Sequence, residues 1–325
     1  MMPNTSARPP RFTTPLGTCL RWLLILGLLL WGIPGQTQTR LNGFNLDDAL
    51  IPAAELLPGG PPRDGIPAID NPGFIDAILA PRDEVIGLAY QGETKAYPVA
   101  ILNWHEVVND YIGGQAVAIT YCPLCATAVV LVAEHQSQPL TFGVSGLLYN
   151  SNLLLYDRQS ESLWPQVLAQ AVTGPMKGLV LPTLPLSLTS WQEWREAHPD
   201  TKVLSADTGY FRNYERDPYR EYARRNALMF PIRNQSRALP LKEMVTGLVI
   251  NGEARAYPHR ALRNQTSPLY DTLGGERIRI ETDTNGQPRF FNDKGKQLSA
   301  QPGYWFAWYA FYPNTQVWEI VPPAR

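Results

Sequence analysis

Two cysteines three positions apart, Cys122 and Cys125, are the residues of this 325-residue chain best suited to chemistry. With only Pro123 and Leu124 between them, both sulfurs can face one ion or each other, and a tight turn aims backbone N–H groups at them. A zinc site closed by protein needs four ligands, so the others would come from His, Asp or Glu. His105 is the best placed, because Ile101, His105 and Val108 share one face of a helix expected to begin near Pro98. The leading expectation is a soft or borderline metal, copper or zinc, held by Cys122, Cys125 and His105 with one position open. A second is an extracytoplasmic thiol–disulfide oxidoreductase, with Cys122 attacking and His105 as base. A thioredoxin-type dithiol would start a helix, whereas Thr127 to Val132 reads as strand. A third is a non-catalytic module presenting an aromatic groove to a surface polymer, since the chain has 9 Trp and 15 Tyr.

The plainer reading of His105 is a core histidine bonded to a backbone carbonyl or to a carboxylate such as Asp110. His135, His198 and His259 read as surface residues. A second polar cluster runs from Thr141 through Ser145 and Asn150 to Asp157, Arg158, Glu161 and Trp164. Asp157 and Arg158 are candidates for contacting a cofactor or ligand; with Glu161 they could instead form ion pairs that hold a turn. Gly143 to Gly146 lacks the glycine spacing of a nucleophile elbow, so Ser145 gives no support to a serine hydrolase.

Positioning these residues requires a β-rich framework. Thirty prolines argue against a helical bundle, and short runs of Val, Ile, Tyr and Phe lie between turn signals. The segment Val85 to Pro98, with Gly92-Glu93-Thr94-Lys95-Ala96-Tyr97-Pro98, recurs as Val245 to Pro258, with Gly252-Glu253-Ala254-Arg255-Ala256-Tyr257-Pro258. Asp110 to Gly114 and Val117 to Ile119 then match Asp271 to Gly275 and Ile278 to Ile280. This predicts an α+β fold of two related β units with a few short helices. Carrying the register forward sets Cys122 to Cys125 opposite Asp283-Thr284-Asn285-Gly286, whose Asn-Gly is a hairpin signal, so the cysteines are expected at a hairpin tip. Ser190 and Glu193 have capping-box spacing and start a helix that Pro199 ends. The expected organisation is a signal peptide over 1–38, a Pro/Gly-rich leader over 39–84, a first unit over 85–198, a connection over 199–240 and a second unit over 241–325.

Charge excludes one class of partner. With 28 basic and 29 acidic residues and no run of one sign, the chain has no electrostatic footprint for nucleic acid. Arg8, Arg11 and Arg21 precede an apolar run from Trp22 to Ile33 that Pro34 and Gly35 end, the layout of an export signal. The run is shorter than the ~20 residues that span a bilayer, so cleavage is expected, an uncleaved membrane anchor being the alternative. The expected address is extracytoplasmic, periplasmic or secreted. An oxidising compartment there would favour a disulfide between the two cysteines unless a metal or redox partner holds them.

Tyr121 to Cys125, Phe142 to Leu148, and Tyr156 to Gln159 with Ser162-Leu163-Trp164 together resemble the bacterial domain of unknown function 3179 family. So do the flanks: Gly60 to Pro67, Ala96-Tyr97-Pro98, Trp104-His105-Glu106, Asn109-Asp110, and Trp191 with His198-Pro199. The resemblance implies exported or membrane-associated proteins and no particular activity. It also marks departures: glycine normally follows the second cysteine, where this chain has Ala126, and histidine would be expected at Tyr312.

Overall fold

The structure is a computed structural model that describes residues 39–263 and 265–319; the expected signal peptide lies outside the described residues. Strands β1 (Glu84–Tyr90) and β2 (Glu93–Pro98) form an antiparallel hairpin. Its turn residues Gln91 and Gly92 both take positive φ, which matches the right-handed twist of the flanking strands. Pro98 fixes the entry to helix α1 (Val99–His105), and left-handed Glu106 ends it. A meander follows: β3 (Val107–Ile112), β4 (Gln115–Cys122) and β5 (Thr127–Val132).

Next come β6 (Phe142–Tyr149), β7 (Asn152–Asp157) and β8 (Leu163–Pro165), a separate sheet edged by Leu56–Pro58. Then β9 (Ser187–Ser190) pairs back onto β1, α2 (Trp191–Ala197) follows, and β10 (Lys202–Leu204) lies parallel to β2. The Ser190 hydroxyl caps α2 by accepting the Glu193 N–H, as its spacing predicts.

A largely irregular stretch with one short helix, α3 (Arg220–Arg224), leads to a second series. Strands β11 (Met244–Ile250) and β12 (Glu253–Pro258) form a hairpin, followed by α4 (His259–Leu262). The meander β13 (Leu269–Leu273), β14 (Glu276–Thr282) and β15 (Pro288–Asn292) comes next, and β16 (Gln301–Tyr304), α5 (Trp305–Phe311) and β17 (Gln316–Val317) close the series. The hairpin sheets run β9-β1-β2-β10 and β16-β11-β12-β17, the same order in both.

The correspondence extends to single atoms. A Cβ on Gly87 would lie 2.2 Å from the Trp194 ring, and one on Gly247 would lie 2.2 Å from Trp308, so only glycine lets each helix seat its indole on the sheet. Trp194 Nε1 donates to Thr201 and Trp308 Nε1 to Thr315, each at 2.9 Å. Tyr97 and Lys95 both donate to Asp110, and Tyr257 and Arg255 both donate to Asp271. Asp110 is thereby spoken for, so it does not hold His105.

The described chain is β-rich with few short helices, and five sheets of three to five strands lie in a propeller-like arrangement. No described helix is long and apolar enough to cross a membrane. The largest apolar cluster joins Ala116, Ala118 and Cys122 of β4 to Phe142, Trp164, Tyr222 and Phe306. Alternate β4 residues Val117, Ile119 and Tyr121 face a second cluster with Val99, Ile101 and Leu102 of α1.

Candidate functional site

Cys122 closes β4 and pairs with Thr127 of β5, so Pro123 to Ala126 form the tip of a hairpin, where the sequence sets the cysteines. The bend is fastened by Cys125 N–H donating to Cys122 O at 3.1 Å. Ala126 takes φ 49°, a left-handed conformation that costs a residue with a Cβ, so the alanine strains the turn slightly.

Two neighbours lock the turn from outside. Tyr304 N–H donates to Cys125 O at 2.8 Å, and a Cβ on Gly303 would meet Thr127 Cγ2 at 2.5 Å, so β16 fits against the turn because Gly303 has no side chain. Below the turn Gln166 Oε1 accepts from Thr127 at 2.6 Å and from Asn152 at 2.9 Å, while Gln166 Nε2 donates to Thr120 at 3.0 Å. A buried network with every partner present is rigid.

Both thiols are free and enclosed, Cys122 1 % and Cys125 0 % exposed. Burial pushes the Cys122 thiol up, yet hydrogen bonds from the Cys125 thiol and from the N–H groups of Leu153, Cys125 and Leu124 outweigh it and hold it below the ordinary thiol range. Burial pushes Cys125 well above that range, and its hydrogen bond and charge interaction with Cys122 add to this. The single Cys125 proton has two acceptors, Ser151 O at 3.2 Å and the Cys122 sulfur. Once Cys122 is a thiolate, the charged acceptor is the stronger one.

The polar groups around the pair are unusual in lacking partners. Glu106, 7 % exposed, makes no hydrogen bond through its carboxyl among the described residues; burial raises it well above the usual carboxylate range, and Cys122 adds to the rise. The hydroxyls of Tyr222 and Ser151 are shielded from solvent and also unpartnered. Buried polar groups are nearly always bonded, so two unpartnered hydroxyls near one dithiol stand out. Tyr222, from α3, closes the site from above. The Lys242 ammonium sits 3.4 Å from the centre of its ring, donates to Arg225 O at 2.7 Å and also donates to Tyr222 O.

His105 is fully buried, as its helical face predicts, but the structure does not bring it to the sulfurs. Its Nδ1 lies 2.8 Å from Pro67 O and its Nε2 2.7 Å from the Tyr214 hydroxyl, so both nitrogens are engaged elsewhere. Burial lowers its pKa despite the Pro67 carbonyl, and Arg212 lowers it further. Helix α1 packs on the cluster served by Ile119 and Tyr121, whereas Cys122 points to the opposite sheet face. Among the described residues no group of three or more His, Cys, Asp or Glu side chains could hold a metal ion. Two sulfurs alone are too few donors for the copper or zinc centre expected with His105.

Asp157 and Arg158 also stand apart from the thiols. Asp157 accepts Ser160 N–H at 2.6 Å, Ser160 Oγ at 2.8 Å and Trp164 Nε1 at 2.9 Å, and so closes its own turn. Arg158 pairs with Asp70 at 2.7 Å and Glu161 with Arg63 at 2.8 Å. His259 is buried, its Nε2 2.8 Å from Thr246 Oγ1, and is not the surface residue expected.

Sequence reasoning missed Glu106, Ser151, Tyr222 and Tyr304. Glu106 had a signal, lying directly after His105 in a stretch shared with the family, and Ser151 lay within the polar cluster between Asn150 and Asn152; Tyr222 and Tyr304 sit far along the chain and carry none. The matched family is a protein of unknown function, DUF3179, whose pattern covers residues 63–300. The chain belongs to this family. The matched residues contain the whole cysteine turn and the first three of the four residues missed; Tyr304 follows them. No curated protein and no solved structure matches the chain.

Proposed function

We propose that Cys122 and Cys125 form a dithiol–disulfide redox site in which Cys122 attacks and Cys125 resolves. The observation that carries this reading is the inequality of the two thiols. Three backbone N–H groups and the neighbouring thiol favour the anion at Cys122, while Cys125 is kept protonated. A nucleophile beside a reserve thiol is the division of labour that a two-step exchange requires.

In the first step the Cys122 thiolate bonds to the electrophilic atom of an oxidant, whose own bond breaks and whose leaving group departs with the electron pair. In the second, Cys125 gives up its proton and its sulfur attacks the Cys122 sulfur, forming the disulfide and expelling the remaining group. Two electrons pass from the pair to the oxidant. Hydrogen bonds that stabilise the thiolate also stabilise the reduced pair, and so make the disulfide easier to reduce. Rigidity from Gln166, Thr127 and Asn152 keeps the two sulfurs at exchange distance.

Two further readings go with this one. The two series are copies of one unit, the first keeping the chemistry and the second serving as scaffold; their shared strand order and paired Trp–Gly contacts support it. The layout of residues 8–38 supports export, so the site would work outside the cytoplasm.

Equilibration of the purified protein with a graded dithiol buffer tests the redox reading. The pair is expected to cycle with a midpoint above about −300 mV, the level below which structural disulfides lie. A midpoint below that, or thiols inert to iodoacetamide in the folded protein, would reduce the pair to a staple.

A further inference from the structure

Resting on the redox reading, we propose that the oxidant this site takes is a small hydroperoxide. Enclosure is the first argument. Cys122 and Cys125 are 1 % and 0 % exposed, so a small oxidant reaches the pair faster than a bulkier disulfide does. A hydroperoxide brings only two oxygens to the reacting sulfur, one of them carrying no more than hydrogen.

The unpartnered groups are the second argument. The Tyr222 hydroxyl lies in the electrostatic field of both cysteines, and it has no hydrogen-bond partner although its residue is 8 % exposed. The Glu106 carboxyl interacts with Cys122 and likewise has no partner. The Ser151 hydroxyl completes the set next to the carbonyl that faces Cys125. Together they offer donors and an acceptor to a ligand with two acceptor oxygens and one O–H. A substrate disulfide, whose sulfurs are weak acceptors, would leave all three unsatisfied.

The chemistry balances with these groups. The Cys122 thiolate attacks the distal oxygen, an S–O bond forms and the O–O bond breaks. The departing alkoxide, or hydroxide, takes the proton of the Glu106 carboxyl and leaves as alcohol or water. Cys122 is now a sulfenic acid. The Cys125 sulfur attacks the Cys122 sulfur, the S–O bond breaks, and the expelled hydroxide takes the Cys125 proton as water. Solvent reprotonates Glu106, and a small thiol reductant returns the disulfide to the dithiol at the cost of its own oxidation to a disulfide.

The test follows thiol loss in the full-length protein with hydrogen peroxide, against oxidised glutathione as the small disulfide. Peroxide is expected to oxidise Cys122 at least ~100-fold faster than it oxidises free cysteine, and faster than the disulfide does. In Cys125→Ser a sulfenate should be trapped at Cys122 by dimedone. Tyr222→Phe, which keeps the ring, should slow the peroxide step roughly tenfold, and Glu106→Gln about a hundredfold. Peroxide oxidation no faster than that of free cysteine, in protein whose pair still equilibrates with a dithiol buffer, overturns the peroxide inference and leaves the redox reading standing. A pair that does not equilibrate with the buffer brings down the redox reading itself.

Discussion

The turn at Cys122 and its counterpart at Asp283 are both hairpin ends, one residue different in length, filled with different chemistry. In the first, the Cys122 sulfur accepts N–H groups from Leu124 and Cys125 within the turn. In the second, Asp283 Oδ1 accepts N–H from Asn285 at 2.9 Å and Gln287 at 2.8 Å, and Gly286 N–H donates to Asp283 O as Cys125 N–H does to Cys122 O. The backbone offers each turn a nest of donors that wants an anion. A carboxylate fills it in the second series, and a thiolate in the first. The lowering at Cys122 therefore needs no histidine and no helix: the Cys125 thiol and the Leu153 N–H lead it, and the N–H groups of the turn add to it.

This comparison can be broken in several ways. Cys122→Ser should abolish reaction of the folded protein with iodoacetamide at neutral pH, whereas Asp283→Ala should leave that reaction untouched; loss of reactivity in both would mean the turns are coupled. Next in size is a pH effect at a position where only the second series has a histidine: His259 is held at about 4 by burial and by Arg263. Its first-series counterpart is Val99. The unfolded chain binds this proton first, so stability is full above about pH 6.5 and falls by up to roughly 3 kcal/mol as pH drops toward 4. Urea titrations of wild type and His259→Asn at pH 7 and pH 4.5 check this, and the variant should lose most of the slope.

Gly87→Ala and Gly247→Ala each drive a Cβ into an indole and should each cost about 2 kcal/mol. Costs differing by more than twofold would show that the two hairpin sheets are not equally packed. Asp283→Ala itself, read by thermal unfolding, should cost ~1.5 kcal/mol, since it removes two turn hydrogen bonds and the one from the Thr189 hydroxyl at a half-buried site.

Much of the frame was legible from local chemistry. Gln91-Gly92 and Asn251-Gly252 announced their hairpins, Ser190 with Glu193 announced α2, and the matching registers put the cysteines at a tip. The return of Trp194 as Trp308 was not legible, because the β6 to β8 sheet lies between β5 and β9 in the first series alone and breaks the spacing. His105 was rightly read as inward. A helical face gives only the direction in which a ring points, however, and the alternation along β4 put the sulfur on the far side of the sheet. Asp157 and Arg158 bond within their own turn and to Asp70, which polar density in sequence does not reveal. Glu106, Ser151 and Tyr222 come from separate stretches of sequence and meet only through the fold.

The Tyr304 N–H that closes on Cys125 O comes from a strand synthesised long after the cysteines. Until residues 301–311 arrive, the cysteine turn has no wall on that side, and Phe306 has not joined the cluster beneath it. A growing chain therefore lacks this wall of the dithiol until that strand has been made. A chain truncated before β16 should be alkylated at both cysteines as fast as a denatured one, which links the guarded chemistry of the finished protein to the order in which its parts are made.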